Sequence, residues 1–194
     1  MTGNRLRKIR AVLGRRQPDL TVVLENIHDP HNVSAILRSA DAVGVTGVYL
    51  IYNEEEFPRL GKKSSASATK WMARQKFRSV SECYDALHRK GFTICATHLA
   101  KRSVSLYDLD LTKNVALVFG NEHRGVSGEA AEQADLNFQI PMMGMIQSLN
   151  VSVACAVALY EALRRRHRAG FYGKRRLPLA DYRRLLGEWT SPRK

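Results

Sequence analysis

The chain has 194 residues, 44% hydrophobic and 25% charged, with a formal net charge of +13. That length is enough to bury one good core, so a single domain is expected. No run approaches the roughly 18 apolar residues of a membrane span, and the opening MTGNRLRKIR lacks a secretory apolar stretch, so a soluble cytoplasmic protein is expected.

The cysteines Cys83, Cys95 and Cys155 are scattered, with no Cys-x-x-Cys pair, which argues against a disulfide or zinc framework; nothing calls for a metal. The charge is uneven: residues 1–16 carry +6, residues 17–160 carry −1 and residues 161–194 carry +8. A neutral centre with cationic ends points to a polyanion, nucleic acid before an anionic membrane, with solubilising tails as the plainer reading.

In chain order, LRKIRAVLGRR (6–16) reads as a short basic helix, TVVLENI (21–27) as a strand, NVSAILRSADAVG (32–44) as a helix ended by Gly44, and VTGVYLIY (45–52) as a strand. The stretch 53–70, charged and rich in Ser and Gly, reads as a mobile loop. RQKFRSV (74–80) suits a short strand, SECYDALHRKG (81–91) a helix, FTICATHL (92–99) and VALVFGNE (115–122) strands, SGEAAEQA (127–134) a helix and LNFQIPM (136–142) a last strand. SLNVSVACAVALYEALRRRHRAG (148–170) reads as one long helix, and a basic helix is expected around DYRRLLGEW (181–189). This alternation predicts an α/β domain with a mostly parallel sheet, flanked by basic helices.

Ligands in such sheets bind beyond the carboxyl ends of the strands. Three segments there carry more polar residues than a turn needs: HDPHNVSAILR (28–38), FGNEHRGVS (119–127) and IPMMGMIQSLNVS (140–152), which should converge. In the first, Pro30 helps start a helix and Asn32 or Ser34 is placed to cap it. Ile36, Leu37, Ala40 and Val43 are spaced to face the core, with Ser34, Arg38 and Asp41 on the other face, where an Arg38–Asp41 surface pair is the plain alternative to a functional arginine. The second nearly spells a P-loop, but Val126 stands where the lysine belongs, so a nucleoside triphosphate is disfavoured. Gly120 and Gly125 allow close backbone approach, and Glu122 is an acceptor for a cationic group. In the third, methionines offer a soft wall for an apolar or sulfur-containing group, or simply a core with an ordinary cap.

The segments NIHDPHNVSAILRSADAVG, ALVFGNEHRGVS and IPMMGMIQSLNVSVACAVALYEA resemble the three motifs of the SPOUT methyltransferases, most closely the branch that methylates a tRNA guanosine at its ribose 2′-hydroxyl. The similarity covers most of the chain; the 53–70 loop and the tail after Gly173 align least. The resemblance implies a SPOUT fold with a deep C-terminal trefoil knot, a homodimer joined through it, S-adenosylmethionine as cofactor and a D-loop guanosine of tRNA as substrate. It divides the chain into a basic N-terminal helix (1–17), a methyltransferase domain (18–170) and a basic C-terminal extension (171–194). By position it implies a cofactor site of Thr97, Gly120, Asn121, Glu122, Ile140, Ser148 and Leu149, and a catalytic cluster of Asn32, Arg38, Glu122, Ser148 and Asn150. Arg38 is then either the base that activates the hydroxyl or the anchor for an RNA phosphate and that hydroxyl. Rival readings are a wobble-ribose or ribosomal-RNA methylase, or a silent RNA-binding relative.

Overall fold

The computed structural model describes residues 2–59, 70–100 and 102–191, so residues 60–69 of the expected loop lie outside the described residues. Its centre is a seven-stranded sheet of β1 (Leu20–Glu25), β2 (Gly47–Ile51), β3 (Ala73–Phe77), β4 (Thr93–Thr97), β5 (Val104–Ser105), β6 (Val115–Phe119) and β7 (Leu136–Gln139). The strands lie in the order β3-β2-β1-β6-β4-β7-β5, and all six pairings are parallel. Central β1 and β6 are buried at every position, as continuous apolar runs in a two-sided parallel sheet should be. The two-residue edge strand β5 is an addition to the six strands expected.

Helices cover both faces. On one, α2 (Pro30–Ala42) and α5 (Val151–Arg168) pack together over a core holding Ile36, Leu37, Ala40, Val43, Ala158 and Leu159. On the other, α3 (Val80–His88) and α4 (Gly128–Gln133) bury Cys83, Tyr84, Leu87 and Ala130. Helix α2 begins at Pro30, two residues earlier than expected. Asp29, not Asn32 or Ser34, caps it, accepting from the His31 N–H at 2.8 Å, while Pro30 occupies the first turn, where its missing N–H costs nothing. Asn32 and Ser34 are therefore buried inside the helix, and Ser34 does not share the exposed face of Arg38.

The ends of the chain meet. Helix α1 (Gly3–Gly14) and α6 (Leu179–Thr190) enclose a small core of Ile9, Leu13, Leu177 and Trp189, with Trp71 packed against it. Buried arginines tie these ends to the sheet. Arg16 donates to the Asp41 carboxylate at 2.6 Å and the Val45 carbonyl at 2.7 Å. Arg166 on α5 donates to the Asp19 carboxylate at 2.6 Å and to the carbonyls of Leu111 and Lys113, and Arg176 pairs with the same Asp19.

Candidate active site

Strands β1, β6, β4 and β7 are neighbours, so the loops leaving their carboxyl ends meet along one edge of the sheet. Glu25 closes β1 and is buried; its carboxylate accepts from the Ser127 hydroxyl at 2.5 Å and the Ser127 N–H at 2.9 Å. Asn26 follows at φ +50°, a left-handed conformation that asparagine tolerates, and its side-chain oxygen gathers the N–H groups of Asn53, Glu54 and Glu55. Asn121 donates to the Asn26 carbonyl at 2.8 Å and accepts from the N–H groups of His123 and Arg124, so its side chain is committed to holding the 120–125 turn.

The glycines of that turn serve the turn itself. A Cβ on Gly120 would lie 2.1 Å from the Gly125 carbonyl oxygen, and Gly125 sits at φ +70°. The backbone folds back on itself, bridged between Asn121 and Gly125, and so projects Glu122 toward the start of α2.

There Glu122 joins the three segments. One carboxylate oxygen accepts from the Asn32 side chain at 2.9 Å and the Asp29 N–H at 3.2 Å, and the other from the His28 N–H at 3.1 Å. The Asn32 side-chain oxygen accepts from Asn150 at 3.1 Å, and Asn150 caps α5 by accepting from the N–H and hydroxyl of Ser152. Burial pushes the Glu122 carboxyl up, but the bonds from Asn32, from its own N–H and from those of His28 and Asp29 outweigh it and hold the group below its ordinary value. Its place in this chain is that of a fixed carboxylate acceptor.

Beside this chain lies a cavity of about 410 Å³, within the range of small-molecule sites. Of the expected cofactor residues, Thr97, Ile140, Ser148 and Leu149 line it, with Met142 and Met143; Gly120, Asn121 and Glu122 are not among its lining. The Thr97 hydroxyl is turned inward, donating to the Val118 carbonyl at 3.0 Å. Of the expected catalytic residues, Asn32, Glu122 and Asn150 form one bonded chain, Ser148 lines the cavity, and Arg38 stands apart on the exposed face of α2. Arg38 has no hydrogen bond or ion pair among the described residues, since Asp41 is taken by Arg16. Glu25 and Asn26 escaped sequence reasoning because they end an ordinary strand; the one available signal was a carboxylate inside an otherwise apolar run.

The model of the SpoU rRNA Methylase family matches residues 19–160. The chain belongs to that family. It is 46% identical over 188 residues to the tRNA (guanosine(18)-2′-O)-methyltransferase of Thermus thermophilus, covering 97% of this chain and 96% of that one. Among solved structures it is similar to the Aquifex aeolicus TrmH/SpoU tRNA-modifying enzyme, with a TM-score of 0.89 and 40% identity over 96% of this chain and 94% of that one. The SpoU methyltransferase AviRb of Streptomyces viridochromogenes, in complex with the cofactor AdoMet, matches with a TM-score of 0.70 and 26% identity over 80% of this chain and 62% of that one.

Proposed function

We propose that this protein transfers a methyl group from S-adenosylmethionine to the ribose 2′-hydroxyl of a D-loop guanosine in tRNA, at the position named for its Thermus relative. The observation that carries the chemistry is the convergence of the three polar segments, through Glu122, Asn32 and Asn150, beside a methionine-walled cavity. The near full-length likeness to tRNA methylases supports the substrate. Such work belongs in the cytoplasm.

The cavity suits the cofactor in chemistry and size. Ile140, Leu149, Phe138 and the methionines offer apolar and polarisable walls, and Gln139 and Ser148 offer polar groups for a nucleoside. Bound there, S-adenosylmethionine supplies an electrophilic methyl group on a sulfonium. Thr97, Ile140, Ser148 and Leu149 would hold it, while Gly120, Asn121 and Glu122 fix the neighbouring turn.

What the chain itself must do is place a ribose hydroxyl in line and assist loss of a weakly acidic proton. Arg38, exposed on α2 and unpaired among the described residues, offers a donor fork matched to phosphate oxygens. We assign it the anchor role, holding the RNA phosphate and the hydroxyl. The Glu122–Asn32–Asn150 chain keeps α2, the turn and α5 in register so that Arg38 and Ser148 face the same substrate.

The finer fold belongs to the same proposal: the C-terminal segment threads as a deep trefoil knot, flanked by basic helices, and a second copy pairs against it. The strand order supports the threading, since β6 returns beside β1 and β7 then enters between β4 and β5. Met143, Met145 and Ile146 are 94%, 98% and 68% exposed, an apolar surface that a partner copy would cover.

Incubation with methyl-labelled S-adenosylmethionine and an unmodified tRNA transcript, followed by mapping of the label, tests the reading. Label on a D-loop guanosine ribose is expected. Label at the wobble ribose would preserve the chemistry and overturn the substrate; no transfer to any RNA would overturn both.

A further inference from the structure

A second cavity, of about 420 Å³, lies away from the methyl-transfer site and is lined by Arg5, Lys8, Ile9, Val12, Arg16, Asp41, Trp71 and Trp189. Three features distinguish it from a crevice between helices. Its aromatic wall is ordered: Trp71 is half-buried, and behind it the buried Trp189 meets it edge to face with centroids 4.9 Å apart, its own ring centre 5.2 Å from the Arg16 guanidinium. Its floor is fixed, because Arg16 is buried and bonded to Asp41 and Val45, which also neutralises the carboxylate in the lining. Its rim is cationic and exposed, with Arg5 and Lys8 on successive turns of α1. Asp41, in the lining, is one turn along α2 from Arg38, so the cavity opens roughly a nucleotide's reach from the arginine assigned to the reacting ribose.

We propose that this cavity receives one unstacked nucleotide of the substrate tRNA, near in space to the methylated one, its base against Trp71, which Trp189 backs, and its phosphate held by Arg5 and Lys8. Single-stranded RNA loops are read in this way, by splayed bases on aromatic faces and phosphates on basic groups. The inference rests on the tRNA reading above and adds to it a base-binding site on the terminal helices. Both terminal helices contribute: α1 provides the charge and α6 provides Trp189, which backs Trp71, and neither forms the cavity alone.

Both tryptophans of the chain line this cavity, so intrinsic tryptophan emission reports on it directly. The test is a titration of the full-length protein with an unmodified tRNA transcript, following emission and its quenching by acrylamide, with filter binding and methylation measured on the same samples. Emission and acrylamide access are expected to fall along the binding curve. Trp71→Ala should weaken tRNA binding about tenfold, the scale of one lost stack, with the salt dependence unchanged. Arg5→Ala with Lys8→Ala, both on the exposed face, should instead lower the slope of log affinity against log salt by about 1.5, and should leave S-adenosylmethionine binding intact. Bound and methylated tRNA with unaltered emission and acrylamide access overturns the pocket and leaves the function standing. Emission that falls without methylation does the reverse, and failure to bind tRNA overturns both.

Discussion

Arg38, Arg16 and Arg124 illustrate how differently one residue type is used around this site. Arg16 is buried against Asp41, Arg124 is paired with Glu54 and Glu55, and Arg38 is exposed with no partner among the described residues. Arg38→Ala should therefore leave the melting temperature and cofactor binding unchanged while abolishing methyl transfer; a variant that keeps even a tenth of the turnover would remove Arg38 from the mechanism. Asn32 is the opposite case, buried and bonded on both sides. Asn32→Ala strips partners from Glu122 and Asn150 and should cost about 1–3 kcal/mol in denaturant unfolding as well as activity. The residue types of this chain were legible in the sequence, but the role given to Asn32 was not, because Asp29 and Asn32 are both competent caps and only the fold decides between them. Glu161 permits a pH test. Its bonds from Arg164 outweigh burial and, with Arg165, hold its carboxyl at about 2 against an ordinary 4.5. A depressed carboxyl stabilises the fold above its unfolded value and loses that contribution as pH falls through the folded one. Glu161→Gln should thus be less stable than the parent near neutrality, with the gap closing between about pH 5 and pH 2. A gap independent of pH would show that the ion pairs carry no net stability.

At the level of elements, the turn between β6 and α4 shows what its glycines do for the backbone. Gly120 and Gly125 stand almost where a P-loop needs them, and they read as glycines that admit a ligand. The backbone adds that they are needed by each other: the Gly120 Cα faces the Gly125 carbonyl too closely for any side chain. Gly120→Ala must force that turn open and carry Glu122 away from Asn32. An ordinary Gly-to-Ala change stabilises by up to about 1 kcal/mol through the unfolded chain, whereas here we expect a net loss of stability together with loss of methyl transfer. A stable, active Gly120→Ala enzyme would mean the close approach is not needed. The strands and helices themselves were largely visible, since long apolar runs and 3.6-residue periodicity survive in sequence. The edge strand β5 was not, because two residues cannot display a period, and its pairing with β7 depends on β7 having already been placed beside β4.

For the whole molecule, charge alone reads the two ends as basic extensions of a neutral domain. The packing builds those ends into the core. Leu13 and Arg16 from the N-terminal segment are buried, Trp189 from the C-terminal helix is 7% exposed, and Arg176 reaches back to Asp19 at the start of β1. The spacing of Ile9 and Leu13, and of Tyr182, Leu185, Leu186 and Trp189, gives each helix an apolar face that the reading as basic helices passed over, and nothing local to either helix could say that they face one another. Deleting residues 1–16 would expose the α6 face along with removing charge, so a loss of tRNA binding in such a truncation would not distinguish grip from folding. Replacing only the exposed cations Arg5, Arg7, Lys8 and Arg10 by glutamine does distinguish them, because each is exposed and the buried face of α1 is left intact. If those four side chains contact phosphates, tRNA affinity should fall and the slope of log affinity against log salt should lessen by about three, while the thermal transition and S-adenosylmethionine affinity stay where they were. An unchanged slope would mean that the positive charge of α1 faces water rather than RNA, and would leave the C-terminal helix and the loops above the sheet as the surfaces that grip the substrate.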